Sequence, residues 1–430
     1  MSEVIDTQTV VIGSGPGGYV CAIRLAQLGV STVLVERGEL GGVCLNVGCI
    51  PSKALLESSE RYYEIAEGLD DHGIKAADVQ LDLRAMMTRK SKIVQGMTQG
   101  IAVLFKRHKV DYFSGNGSIP VAGTVTVDGD GGSQELRGER ILLATGSTVV
   151  ELPSLPFDGE FVISSTEALS LGSVPDRLIV IGAGAIGLEM GLVWNRLGSD
   201  VLVIEYTDTI LPGMDREVSS QLERILVKQG LAFKLSTSVE VAQIKNGEVH
   251  LTIAARDGGD KWVAPCDRVL VAVGRRPFSE GSGIDTLDLD VDDHGFVVVD
   301  ARYETSVEGV FAIGDLIPGP MLAHKAEAEG VAAVELMVSK GGHVNYDAIP
   351  NVVYTNPEVA SVGLSEEAAR EAGRRVAVGK FPFRANARAH CMDGTDGLVK
   401  IVADAESDRL LGMHILGPQA SHLIAEGVLA

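Results

Sequence analysis

Thr9-Val10-Val11-Ile12-Gly13-Ser14-Gly15-Pro16-Gly17-Gly18 opens a phrase that runs through a helical stretch to about Leu28, then a second apolar run Thr32-Val33-Leu34-Val35, and ends on an acid, Glu36. The unbroken apolar residues before Gly13 read as a buried strand, and the glycines as a tight turn into a helix. The phrase recurs. A strand over 178–181 leads into Gly182-Ala183-Gly184-Ala185-Ile186-Gly187, a helix to about Leu197, and a strand over 201–204 that ends at Glu205. With 51 glycines in 430 residues, about 0.7 Gly-x-Gly-x-x-Gly matches arise by chance. One copy therefore decides little. Two copies, each framed by strand, helix, strand and an acid 23 residues after the first glycine, predict two dinucleotide-binding domains. In such a motif the first glycine permits the turn, the second lets a pyrophosphate approach the backbone, and the third lets helix pack on strand. The helix amino terminus faces the phosphates, and the acid accepts from ribose hydroxyls.

Outward from these units, Ile141-Leu142-Leu143-Ala144-Thr145-Gly146 and Val269-Leu270-Val271-Ala272-Val273-Gly274 read as closing strands whose ends lie beside a ligand. Val310-Phe311-Ala312-Ile313-Gly314-Asp315 is a third signal of this kind, and taken alone it equally suits a strand followed by an Asp-capped helix. Turn-rich stretches at 128–133 and 257–260 read as hairpin tips. Past Pro350 the pattern changes to alternating strands, at 352–354 and 398–402, with a helix over 366–372. The expected fold is α/β: two Rossmann-like domains at 1–148 and 149–275, a central segment 276–347 completing the first site, and an α+β interface domain at 348–430.

Length alone predicts two to four domains. The composition, 45% hydrophobic and 22% charged, is that of a globular protein, with no run of about 18 apolar residues to span a membrane. A net charge of -21 repels polyphosphate backbones, so nucleic acid is excluded as an expected partner. The acidic start of the chain lacks the basic and apolar regions of a secretory signal, and a reducing, cytoplasmic location is expected. Cys21, Cys44, Cys49, Cys266 and Cys391 are too few and scattered for a disulfide scaffold, and no metal site is expected.

Only Cys44 and Cys49 lie close together, within Gly41-Gly42-Val43-Cys44-Leu45-Asn46-Val47-Gly48-Cys49-Ile50-Pro51-Ser52-Lys53. Five steps of regular helix separate Cα atoms by about 7.5 Å of rise, whereas a disulfide needs about 4.4 to 6.8 Å. Pairing thus requires the segment to leave regular helix, which Gly48 and Pro51 permit. Two small core thiols remain the alternative. A thiol pair directly after a dinucleotide site suits two-electron exchange with a flavin, and Lys53, four residues beyond Cys49, suits a cation near a thiolate.

These residues resemble the pyridine nucleotide-disulfide oxidoreductases, and within them the lipoamide branch, over essentially the whole chain; the segment from Cys44 to Lys53 with Ala54-Leu55-Leu56 carries the likeness most specifically. The resemblance implies FAD at the first motif, with Gly13, Gly15, Gly18, Glu36, Gly42, Lys53, Gly117, Thr145, Gly146, Ser147, Asp315, Met321, Leu322, Ala323 and His324 among its contacts. It implies NAD at the second, with Gly182, Gly184, Gly187, Glu205, Val239 and Gly274. It further implies that Cys44 exchanges with substrate, that Cys49 contacts the flavin, and that Lys53 and Glu189 form a charge pair beside the reactive flavin nitrogen. For Glu189 an ordinary acid near a helix start is the competing reading. A head-to-tail homodimer through the last domain is implied, as is a lipoyl group carried on an acyltransferase or glycine-cleavage protein.

Glu205 would repel a 2′-phosphate and Tyr206-Thr207-Asp208 offers no arginine to neutralise one, so NAD is expected over NADP. The segment 381–389 resembles the interface domain of the lipoamide enzymes. In the family that domain continues to a His-Pro pair and a glutamate; the sequence given stops at Ala430. The expectation drawn from this is an incomplete interface domain, a weakened dimer and impaired lipoamide turnover, with His390 and His422 as surface residues and not substitute bases. The expected reaction is dihydrolipoamide plus NAD giving lipoamide plus NADH. An NADH:acceptor diaphorase and a non-catalytic flavin scaffold in a multienzyme complex are the alternatives.

Overall fold

The computed structural model describes residues 4–430 except 68, 70, 71, 260, 281, 282 and 285. The chain forms two compact units, one of Met1–Pro51, Lys90–Val149 and Arg275–Val344, the other of Ser52–Arg89, Val150–Gly274 and Asn345–Ala430. The stretch 52–89, read from sequence as part of the first domain, is thus grouped with the second unit.

In the first unit, Ile5–Ile12 lies in a parallel sheet between Thr32–Glu36 and Gly132–Leu143, with Asp111–Ser114 beyond Thr32–Glu36. The strand starts four residues before the run that the sequence marks, because its first half alternates in exposure and only Thr9 to Ile12 are buried throughout. Thr124–Gly129 and Asn116–Val121 extend the sheet antiparallel, and the hairpin expected at 128–133 closes through Gly129 and Gly132. Val310–Ala312 joins in parallel against Ile141 to Leu143. It leads into a short 3-10 turn, Gly314–Leu316, with no side-chain cap, so Asp315 is not a helix cap.

In the second unit five parallel strands run in the order Ala232–Lys234, Asp200–Ile204, Arg177–Ile181, Arg268–Val271, Val162–Ile163. A meander of Thr237–Lys245, Glu248–Ala255 and Lys261–Cys266 follows; its second tip, expected at 257–260, lies partly outside the described residues. The last sheet is antiparallel, in the order Asn351–Val353, Glu358–Gly363, Leu410–Gly417, Leu398–Asp404, Val376–Pro382. Val353, Val359 and Leu416 share one apolar cluster with Trp194, Val201 and Leu222, so this sheet and the parallel sheet are built around a common core. A buried charge cluster joins them as well. Lys400 Nζ lies 2.8 Å from Asp215 Oδ2, 2.9 Å from Glu366 Oε2 and 3.3 Å from Glu217 Oε2. Hydrogen bonds from Lys400 and Arg370 hold the Glu366 carboxyl down at about 2.

Candidate functional site

The two glycine motifs are built alike. Gly13 and Gly182 sit at φ +101° and +103°, which L side chains rarely adopt, and a Cβ on either would strike the carbonyl oxygen of Ala144 or Ala272. Gly18 and Gly187 are closed in the same way by the carbonyls of Gly13 and Gly182. The middle glycines differ: a Cβ on Gly15 or Gly184 would meet nothing within 4 Å. Packing does not require glycine there, and the open space is what an approaching pyrophosphate needs.

Both middle glycines are helix N-caps, of Pro16–Gln27 and Ala185–Arg196, and neither helix has a side-chain cap or an acid in its first turn. Several other helices are capped by side chains, with Asp215, Ser164 and Ser365 accepting from first-turn amides. The uncapped ends leave donors and positive helix potential for an anion. The helix Ala323–Met337, which begins among Met321, Leu322, Ala323 and His324, is uncapped too.

The two terminal acids are held by matching contacts. Glu36 Oε2 accepts from the Ser14 amide and hydroxyl, both at 2.7 Å, and Oε1 from the Gly38 amide at 2.8 Å. Glu205 Oε2 accepts from the Ala183 amide at 2.7 Å, and Oε1 from the Thr207 amide at 2.8 Å and hydroxyl at 2.9 Å. Each carboxylate thus accepts from its own loop, and with about four lone-pair sites it keeps capacity for ribose hydroxyls.

Around the first motif, Gly42 at φ +58° packs so closely on Gly15 that a Cβ would meet its Cα at 2.8 Å. Gly117 lies buried against Val35 and Ile12. Thr145 Oγ1 donates to the Phe278 carbonyl, Gly146 turns at φ +75°, and Ser147 Oγ donates to Asp315 Oδ2 at 2.5 Å. Three residues here escape sequence reading. Arg275 donates to both the hydroxyl and carbonyl oxygens of Ser147 at 2.7 Å. Lys325 and Glu329, both wholly buried, pair at 3.2 Å and bracket the peptide groups of Gly314: Lys325 Nζ donates to its carbonyl at 2.9 Å, and its amide donates to Glu329 at 2.8 Å. Asp315 is thereby fixed from both sides. Around the second motif, Gly274 turns at φ +130° with open space beside it. Val239 is half-buried on the apolar cluster of Ile181, Ile204 and Ile253.

Cys44 and Cys49 form a disulfide with Cα atoms 4.7 Å apart. The segment leaves regular helix as expected: Gly42–Val47 is one short helix, Gly48 breaks it at φ -143°, ψ -112°, and Cys49 opens the next, Cys49–Glu67. Lys53 follows one turn down that helix. Its Nζ lies 2.8 Å from Glu189 Oε2 and 4.6 Å from the centre of the Tyr354 ring, while Glu189 Oε1 accepts from the Tyr354 amide at 3.0 Å. Glu189 is 4% exposed on the fifth residue of its helix, so it serves this pair and not the helix start. Nothing in the sequence singles out Tyr354. His390 and His422 are exposed. Among the described residues no group of three His, Cys, Asp or Glu side chains is arranged to hold a metal, and no helix is long and apolar enough to cross a membrane.

Comparison with known proteins gives the same picture. The model of the pyridine nucleotide-disulphide oxidoreductases matches residues 7–330, and that of their dimerisation domain residues 349–430. Mitochondrial dihydrolipoyl dehydrogenase of Pisum sativum is 50% identical over 427 residues, 99% of this chain and 85% of that protein. Leghemoglobin reductase of Glycine max is also 50% identical over 427 residues, 99% of this chain and 82% of its own. Among solved structures, the HOCl-induced flavoprotein disulfide reductase RclA of Escherichia coli superimposes with a TM-score of 0.87 at 26% identity, covering 99% of this chain and 92% of that one.

Proposed function

The chain belongs to the pyridine nucleotide-disulphide oxidoreductase family and carries its dimerisation domain, and we propose that it oxidises dihydrolipoamide with NAD. The observation that carries this reading is the Cys44–Cys49 disulfide, held across a helix break in the loop after the first nucleotide motif. FAD and NAD, when bound, supply the path by which two electrons leave the reduced cysteines as hydride.

The chemistry of the chain's own residues follows from the helix break. Cys49 is the first residue of a 19-residue helix, where the helix dipole favours a thiolate, making it the better leaving group. A substrate thiolate therefore attacks Cys44 Sγ and forms a mixed disulfide with it; the Cys44–Cys49 bond breaks and Cys49 departs as thiolate. The second substrate thiol displaces Cys44, the lipoyl ring closes as a disulfide, and two protons leave with the two electrons transferred to the cysteine pair. In this reading Lys53, fixed by Glu189 and by the face of Tyr354, supplies the positive charge that a reduced flavin needs. Gly13, Gly15, Gly18, Glu36 and Asp315 hold FAD; Gly182, Gly184, Gly187 and Glu205 hold NAD, with Glu205 excluding a 2′-phosphate. The lipoyl group comes on an acyltransferase or a glycine-cleavage carrier protein, and the working unit is a homodimer. Purified protein should be yellow, with about one FAD per chain, and should form NADH from dihydrolipoamide. A preparation that stays colourless after incubation with FAD overturns the reading.

One observation favours a second activity. The relative named leghemoglobin reductase is as similar as the one named dihydrolipoyl dehydrogenase, so reduction of a one-electron acceptor by NADH belongs on the same scaffold. That reaction uses the nucleotide sites alone. Cys44→Ser should abolish dihydrolipoamide turnover and leave NADH-dependent dye reduction; loss of both activities argues against a separable second reaction.

A further inference from the structure

The stretch after Glu205 has no arginine in sequence, yet the fold brings one to it. Arg256 follows the strand Glu248–Ala255, about 50 residues on. Its amide donates to the Ser236 carbonyl at 2.9 Å, and the Ser236 amide donates to the Thr207 carbonyl at 2.8 Å, so the backbone is tied to the end of the acid's own strand. Arg256 Nη1 donates to the Tyr206 carbonyl at 3.0 Å, and the guanidinium carbon lies 3.8 Å from the centre of the Tyr206 ring. These contacts place the charge and do not neutralise it. The neighbouring cation, Arg216, is paired with Asp208 at 2.6 Å. Among the described residues no carboxylate lies within ion-pair distance of Arg256. Both partners face solvent, with Tyr206 59% exposed.

We propose that Arg256, stacked on Tyr206, is a specificity-determining residue of the pyridine nucleotide site: a guanidinium placed to receive a phosphate on the 2′ oxygen of the adenosine ribose, kept from doing so by Glu205. The proposal rests on the reading of the second motif as that site. Glu205 turns its carboxylate inward to Ala183 and Thr207, and accepts the ribose hydroxyl there. A substituent on that hydroxyl extends past the carboxylate, toward the residues that follow the strand. An arginine beside the acid is the feature that accommodates a 2′-phosphate in dinucleotide sites. Selection of NAD is then a difference of two opposed terms, repulsion by Glu205 and attraction by Arg256, and removal of the first exposes the second.

The test uses holoenzyme with FAD bound and two probes, ADP and 2′,5′-ADP, measured by calorimetric titration in wild type, Glu205→Ser, Glu205→Ser/Arg256→Ala and Glu205→Ser/Arg256→Lys. Glu205→Ser should shift the ratio of 2′,5′-ADP to ADP affinity toward the phosphorylated probe. Adding Arg256→Ala should cut that ratio about tenfold or more, as loss of a charged hydrogen bond does. Arg256→Lys should restore part of it, and raised salt should shrink the difference. A residue that merely braces Tyr206 would change both affinities together and leave the ratio alone. An equal ratio in the single and double variants overturns the proposal while leaving the motif's assignment intact. If wild-type holoenzyme binds neither ADP nor NADH, the assignment itself fails, and the proposal with it.

Discussion

Two glycines of the second motif, Gly182 and Gly184, should separate stability from binding. Gly184→Ala adds a methyl group into open space at φ -75°, ψ -179°, a conformation alanine adopts freely. As an N-cap change without a lost side-chain bond, it should alter stability by only about 0.5 kcal/mol. In the proposed NAD site that same methyl occupies the space through which the pyrophosphate would approach, so NAD affinity should fall at least tenfold, about 1.4 kcal/mol. Gly182→Ala reverses the balance. At φ +103° an L residue costs about 1 to 2 kcal/mol, and the new Cβ collides with the Ala272 carbonyl, which adds overpacking strain of about 1 to 3 kcal/mol. The sum, about 2 to 5 kcal/mol, should lower the unfolding midpoint well below that of Gly184→Ala. Urea unfolding followed by tryptophan fluorescence, with Trp194 in the core of this unit, gives the stability. Initial rates against NAD concentration give the affinity. Refutation would be a Gly184→Ala enzyme with wild-type KM for NAD, or a Gly182→Ala protein as stable as wild type.

Other outcomes follow from the buried charges of the second unit. Lys400→Met leaves the buried Asp215 carboxylate without its cation, while Glu366 keeps Arg370 and Glu217 keeps Lys380; it should cost about 3 to 5 kcal/mol, read as an earlier unfolding midpoint, and a change below about 1 kcal/mol would mean that the cluster behaves like a surface pair. Acid should unfold the same unit in two stages. Burial depresses the His414 pKa, so its contribution is present above the unfolded value of about 6.5 and begins to fade below it. Glu366, held at about 2, contributes above its unfolded pKa and loses that contribution as pH falls from about 4.5 toward 2. Stability measured from pH 7 to 3 should therefore decline slowly at first and more steeply below about 4.5; a profile flat to pH 3 contradicts this.

What is legible in the sequence is what depends on local backbone geometry. The two motifs, their acids and the break at Gly48 can be read because glycine positions, apolar runs and equal spacing are local signals. Partners fixed only by tertiary packing cannot. Lys325 and Glu329 have the i, i+4 spacing of a solvent-exposed pair, yet both are wholly buried around the Gly314 peptide groups. Lys400 alternates inward with Leu398 and Val402, a place that only three carboxylates from other elements make tolerable. Arg256 reaches Tyr206 through a meander whose tip no spacing rule connects to the motif. That 206–208 holds no arginine is plain from the sequence; that the fold carries one to the same place is not.

The central claim, that Cys44 and Cys49 cycle between disulfide and dithiol in oxidising dihydrolipoamide, is tested most directly by counting thiols. Of five cysteines, Cys21, Cys266 and Cys391 are free and the other two are paired. Denatured after anaerobic isolation, the oxidised protein should show the three free thiols, and after stoichiometric dihydrolipoamide without NAD all five; NAD added before denaturation should return the count to three with NADH formed. A count that stays unchanged on adding dihydrolipoamide would contradict the account.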